Sequence, residues 1–341
     1  VFYLKKLLVF LLIQFAITST IYMPPEERVD TCSTINVVYI ENPSLENICS
    51  FLASLYVDLI SNYGCIRESP VAESNKCYTS TNLLAEYVLR NLCNNTQLAD
   101  KVRDFLKEYN TDFYNYYQIL LGRNFTLPFT IVKNTKRDIV NDIEIYHTVR
   151  TATGLYDYDQ YADLLAYSAL YYVTQRDLNN AVIELVRLND LFDNYGFRDK
   201  AYSKLGKYET YKVALAVIAF KTINHTSLVD KYTNILLNIK PLTTLYILDE
   251  SRGRLIGIGD LNVETACLIA IALYSDIPYG IQPSTQLNKV DLDTVISHIH
   301  GAYILLIIIL VLTIIVLALV AIILALLLRS LRRLVRSLQR V

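Results

Sequence analysis

The chain of 341 residues carries 32 basic and 33 acidic side chains, distributed unevenly. Seven of the basic residues fall within 1–20 and 329–341 with no acidic residue among them, so residues 21–301 hold 25 basic against 33 acidic groups, net −8. That balance excludes a polyanion binder and argues against nucleic acid as a partner, while about 280 residues are enough for one large core or for a small module plus a larger one.

Lys5 and Lys6 precede the apolar stretch Leu7 to Ile17, which is followed by Thr18, Ser19 and Thr20. This is the layout of a secretory signal peptide over 1–20, with an uncleaved signal anchor as the competing reading. Residues 21–43 read as an extended lead-in, with Pro24-Pro25 and the alternating Ile35-Asn36-Val37-Val38-Tyr39-Ile40. Ser44 starts a helix to about Asn62, apolar at Ile48, Leu52, Leu55 and Leu59. A cysteine-bounded loop follows over 63–79, and then helices near 81–93, 97–109 and 111–121.

The segment 125–153 changes character, with Pro128 and a strand-like run from Asp142 to Val149. It predicts a crossing between two helical parts. From 158 the pattern is one of helical hairpins. Tyr158, Tyr161, Ala162, Leu165, Ala169 and Tyr172 make one stripe, Leu178, Ala181, Val182, Leu185 and Phe192 the next, and Asp177 is the N-cap between them. Tyr208 to Ile223 and Val263 to Tyr274 are apolar almost all round, so each must be buried on every side.

Ala302 to Leu328 contains no charged residue. About 20 apolar residues suffice to span a bilayer, so this run predicts a transmembrane helix with membrane lipid as its partner. Arg329, Arg332, Arg333, Arg336 and Arg340 follow without an acidic neighbour. Positive flanks stay on the cytoplasmic side, which puts the tail inside and the N-terminal domain outside a cell membrane.

Five of the six cysteines (Cys32, Cys49, Cys65, Cys77 and Cys93) crowd the first part, where an exported chain would use them in disulfides of unspecified pairing. Cys267 lies in an apolar helix and reads as a small buried hydrophobe. Asn94, Asn124 and Asn224 head N-x-[ST] triplets and are candidate glycosylation sites.

One-sided helices alternating with helices buried all round predict an outer and an inner layer. The expected fold class is all-α: an incomplete α/α-toroid ectodomain with a few short strands, plus one C-terminal transmembrane helix. The expected division is a signal peptide over 1–20, a cysteine-rich helical part over 21–110, toroid-like hairpins over 111–300, the transmembrane helix over 301–328 and a basic cytoplasmic tail over 329–341.

Two stretches carry a resemblance. One runs from Leu188 through Asp193-Asn194-Tyr195-Gly196 to Tyr202 and on to Gly206-Lys207-Tyr208-Glu209-Thr210-Tyr211-Lys212; the other is Gly259 to Ala266. Together they resemble membrane-anchored surface proteins of thermophilic archaea whose ectodomain is similar to α/α-toroid glycosidases and terpenoid-cyclase-like domains. The likeness spans about 110–275 and rests on the style of the hairpins, so it implies a fold more than an activity.

Glu209, Asp260 and Glu264 stand at or just before the starts of the two apolar helices, with Asp193 in a preceding turn; these four are the candidate catalytic residues. Glycoside hydrolysis needs two carboxylates on either side of the scissile bond. Tyr156, Tyr195, Tyr208 and Tyr211 are candidate substrate-binding residues offering faces for sugar rings. Each carboxylate also has a structural reading: Asn262 with Glu264 fits an N-cap and acidic first turn, Glu209 a first turn, and Asp193 a turn bonded to its own backbone. The sequence contains no G-x-S-x-G, H-E-x-x-H or Walker A motif, so neither a cofactor nor a metal is expected. The expected function is an anchored extracellular protein that binds, and as an enzyme would cleave, a surface polymer such as a polysaccharide. The alternative is a non-enzymatic structural or adhesive envelope protein whose partner is another envelope protein.

Overall fold

The computed structural model describes residues 40–60, 62–71, 75–109, 115–122, 125–276 and 292–338. The expected signal peptide, most of the lead-in, Cys32, Asn124 and Arg340 lie outside the described residues. Ser44 caps α1 (Leu45–Ser54) by accepting from the Asn47 amide. The chain then turns into β1 (Tyr56–Ile60), pairs back as β2 (Tyr63–Ile66), and continues to β3 (Lys76–Tyr78), which runs directly into α2 (Thr79–Asn91). Next come α3 (Thr96–Glu108), the single turn α4 (Tyr117–Leu120), and the long antiparallel hairpin β4 (Thr130–Val140) and β5 (Ile143–Gly154). Strand β3 joins β5 in parallel.

A short 3-10 turn precedes α5 (Ala162–Thr174) and α6 (Leu178–Asp190). After α7 (Lys200–Leu205), the two-residue β6 (Tyr208–Glu209) leads into α8 (Thr210–Thr222) and α9 (Thr226–Asn238). The hairpin β7 (Leu245–Asp249) and β8 (Arg254–Ile258) completes a third sheet with β6, and α10 (Val263–Tyr274) follows. The last element is α11 (Leu292–Leu338), a continuous helix of 47 residues.

Three helical hairpins share one design. In α2/α3, α5/α6 and α8/α9 every helix has 13 residues, and the partners of each pair pack on one another. At each corner a residue in the left-handed region (Asn94, Arg176, Asn224) precedes an N-cap whose side chain accepts from the amide three residues on: Asn95 from Leu98, Asp177 from Asn180, His225 from Leu228. Asn tolerates that backbone better than most residues, which gives Asn94 and Asn224 a structural role independent of any glycan. Helices α8 and α10 are buried along almost their whole length, as their uniform apolarity requires, whereas α3, α6 and α9 each bury one face.

The expected all-α toroid is the wrong class. The described residues form three sheets among the helices, and the fold is mixed α/β. The helix expected to run from Ser44 to Asn62 stops at Ser54, because Tyr56-Val57-Asp58-Leu59-Ile60 pairs with β2, which the Cys65–Cys77 disulfide ties to β3. The crossing over 125–153 is a full hairpin, with Asn141 and Asp142 at positive φ in its turn. The β7–β8 hairpin, turned at Gly253 with φ +62, lay unread between two helices. Of the helix expected over 111–121, the described part is helical only at Tyr117–Leu120.

Two disulfides form, Cys49–Cys93 and Cys65–Cys77, and Cys267 is a buried free thiol. Ile304–Arg329, within α11, is long and apolar enough to cross a membrane, and its aliphatic side chains are exposed.

Candidate functional site

Helix α10 packs between α2 and α8, and α8 also packs on α5. The second residue of each of these four helices lines one cavity: Ser80 of α2, Asp163 of α5, Tyr211 of α8 and Glu264 of α10. Asn115, Tyr116 and Tyr117 form one side wall, and Val132, Asn134 and Thr148 of the β4–β5 hairpin form another. Tyr167, one turn further along α5, completes the lining. The cavity is half open and has a volume of about 150 Å³.

Helix N-termini carry unpaired amides and a partial positive charge, which favours carboxylates in the first turn. Asp163 and Glu264 occupy such positions, and Glu209 stands just before α8 without a side-chain bond to its amides. Behind the cavity wall lies Lys212, which is 2% exposed. Its ammonium stands 2.5 Å from Asp199 Oδ2 and 2.5 Å from Glu209 Oε2. Asp199 in turn accepts from the amides of Ala162, Ala201 and Tyr202, each at 3.0 Å. One buried carboxylate therefore ties the starts of α5 and α7 to α8.

The protonation states follow from this crowding. Burial pushes Glu264 up to about 7. The Tyr117 hydroxyl donates to Glu264 and opposes that rise, as does the Lys212 charge, while Asp163 and Glu209 add to it. Burial also raises Asp163; Lys212 works against it, and Asp199 and Glu209 reinforce it. Lys212 itself is lowered by burial, but the three surrounding carboxylates outweigh that cost and hold it above its ordinary value. A second layer sits on the Cys65–Cys77 loop. There burial, and then the Glu264 charge, pushes Glu68 up to about 8, although Thr81 and Asn262 donate to it at 3.0 and 3.1 Å.

Two side-chain atoms at the cavity have no hydrogen-bond partner: Asp163 Oδ1 and the Tyr167 hydroxyl. Tyr167 is only 1% exposed. Asp163 Oδ2 receives the Tyr211 hydroxyl at 3.2 Å, so Oδ1 is the half of the carboxylate without a hydrogen bond.

Of the residues expected from sequence, Glu264 and Tyr211 line this cavity. Glu209 adjoins it through Lys212 but is not part of the lining. Asp260 lies behind it, bonded to Ser69 and near Glu68. Asp193 is a turn residue elsewhere: burial would raise it, but the Tyr208 hydroxyl, the amides of Tyr195 and Gly196, and Arg198 together hold it below the usual carboxylate range. Tyr208 is buried against Tyr202 and Tyr246, and Tyr195 lends its carbonyl to the Tyr246 hydroxyl. Gly196 is required there, since a Cβ would strike the Tyr208 ring and the Tyr246 hydroxyl. Tyr156 is 91% exposed and lies outside the cavity. Asp193 makes the backbone bonds of the turn reading, and Asp193, Tyr195 and Tyr208 are not part of the cavity lining.

Asp163, Lys212 and Tyr167 were not singled out as site residues in the sequence, whereas Asp199 stands there with Asp193 in the turn before α8. Asp163 had a usable signal, because it stands one residue into a buried helix just as Glu264 does. Lys212 had a weaker one, a charge inside a helix that is otherwise apolar on every face. Among the described residues, no group of three or more His, Cys, Asp or Glu side chains is arranged to hold a metal ion.

No family model, curated protein or solved structure matches the chain. The resemblance to archaeal surface proteins therefore stays an expectation drawn from the sequence alone.

Proposed function

We propose that the protein is a membrane-anchored ectodomain whose cavity binds one sugar unit of an extracellular polysaccharide. The observation that carries this reading is the pair of buried, unpartnered polar atoms at the cavity, Asp163 Oδ1 and the Tyr167 hydroxyl. An unmet buried polar group costs about 1–3 kcal/mol, so a ligand that offers hydroxyls to both gains that much in being bound. The rings of Tyr116, Tyr117, Tyr167 and Tyr211 give a sugar's C–H face an apolar surface. A cavity of this volume holds roughly one six-membered ring.

The anchor is Ile304–Arg329. The arginine cluster after it supports a cytoplasmic tail, and the two disulfides support an exported N-terminal domain, with Asn94 and Asn224 available at exposed corners as glycan acceptors.

A second reading, cleavage, is favoured by one observation. Glu264 still holds a proton near neutral pH and has a second carboxyl, Asp163, in the same cavity. A general acid facing a second carboxylate is the equipment of glycoside hydrolysis. Adhesion through the same cavity without turnover is the non-enzymatic form of the proposal.

The full chain in detergent, presented with a panel of surface polysaccharides, tests both readings. Binding without product supports recognition alone, and release of shorter saccharides supports cleavage. Failure to bind any of them, or equal binding by the Asp163→Asn variant, removes the sugar reading.

A further inference from the structure

The charge in and behind the cavity is out of balance. Asp163 and Glu264 line it, and Asp199 and Glu209 stand just behind it. The cation packed among them is Lys212, whose two short contacts go to Asp199 and Glu209. Neither lining carboxylate receives a direct bond from it: Glu264 is met by the Tyr117 hydroxyl, and Asp163 by the Tyr211 hydroxyl on one oxygen only. No Lys or Arg belongs to the lining, so an acidic sugar would find no counter-charge there.

The unpartnered Asp163 Oδ1 is an acceptor with negative character, and the fully buried Tyr167 hydroxyl stands unpartnered in the same lining. The rings of Tyr116 and Tyr117 lie with their centroids 5.9 and 6.4 Å from that of Tyr167. A carboxylate oxygen in a cavity that is also lined by tyrosines is suited to an ammonium group, which donates a charge-assisted hydrogen bond to the carboxylate and makes a cation–π contact with a ring. We infer that the sugar accepted here carries a positively charged amine, received by Asp163 Oδ1, with the Tyr167 hydroxyl bonding a neighbouring ring hydroxyl. This rests on the sugar-binding reading and narrows it to amino sugars with a free amine. The imbalance gives the selection its sign: a neutral sugar leaves Asp163 Oδ1 without a counter-charge, and a uronic acid adds to the repulsion.

Calorimetric titration of the full chain in detergent with glucosamine, glucose, N-acetylglucosamine and glucuronate tests the inference, at a pH of about 6 where an amine of this kind is protonated. The expected result is glucosamine binding about tenfold or more tighter than glucose or N-acetylglucosamine, with glucuronate weakest. The Asp163→Asn variant should bind glucose and glucosamine alike. Should that variant not fold, the comparison of ligands on the unaltered protein still decides. Glucose or N-acetylglucosamine binding as tightly as glucosamine would overturn the amine while leaving sugar binding in place. Binding of none of the four would overturn both.

Discussion

Lys212 Nζ lies 2.5 Å from Asp199 Oδ2, with both side chains all but sealed from solvent. Removing one partner of such a pair leaves an uncompensated buried charge, at a typical cost of about 3–5 kcal/mol. Lys212→Met should lose stability of that order, read as a lower urea midpoint, because Asp199 and Glu209 lose their counter-ion together. Lys212→Arg should recover only part, since a planar guanidinium does not replace a compact ammonium in a tight site. A Lys212→Met variant as stable as the parent would mean that the cluster is already protonated.

Stability should fall as pH rises through neutrality. Glu264 and Glu68 move from 4.5 to about 7 and about 8 on folding, so the native state holds their protons more tightly than the unfolded chain does. Their contribution is complete below about 4.5 and is lost as pH climbs through the folded values. The full loss is on the order of 3 kcal/mol for Glu264. Asp193 has the opposite sign: it is lowered on folding, so its contribution is present above its unfolded value and lost in acid. Urea midpoints measured from pH ~5 to ~8 check this, and Glu264→Gln should flatten the decline.

Tyr167→Phe separates folding from binding. Its hydroxyl is buried without a partner, so removing it should leave the melting temperature unchanged or raise it, by up to about 1 kcal/mol of added stability. Sugar binding should weaken. A variant that loses stability instead would show that the hydroxyl is already satisfied in the unliganded protein.

The Cys49–Cys93 disulfide joins the start of the described fold to the corner of its first hairpin, across 44 residues. A loop of that size constrains the unfolded chain by about 4 kcal/mol, with measured effects commonly 2–4. A Cys49→Ser, Cys93→Ser double variant should lose a stability of that order in denaturant titration, and the Cys65–Cys77 pair should survive it in a non-reducing peptide map.

Much of the helical framework was legible because it is periodic. The helix near 97–109, the apolar stripe of α6, the Asp177 cap and the all-round burial of α8 and α10 all follow from residue spacing, whereas α9 was not read. The strands were not, for separate physical reasons. Tyr56 to Ile60 continues a helical stripe through Leu55 and Leu59, and only pairing with β2 makes it a strand. In β4, Lys133, Lys136 and Arg137 lie on an exposed strand, so the alternation that marks a half-buried one is missing. The site was half legible. Reasoning from the starts of buried helices reached Glu264 and Tyr211, but it was applied to two helices where four contribute. Asp193 looked equivalent in sequence, yet it spends its oxygens on the Tyr195 and Gly196 amides and the Tyr208 hydroxyl.

Helix α11 runs unbroken from Leu292 to Leu338. At ~1.5 Å per residue it is a rod of roughly 70 Å, more than twice the ~30 Å of a hydrocarbon core. Its apolar stretch accounts for little more than half of that length. The remainder projects past both ends of the stretch without an intervening loop. A beam with no hinge does not absorb tilt or rotation; it delivers at one end what is imposed at the other. A pull at Leu292 would therefore reach Leu338 as a movement of the whole rod, so a helix of this kind set across a membrane is a lever as well as a tether.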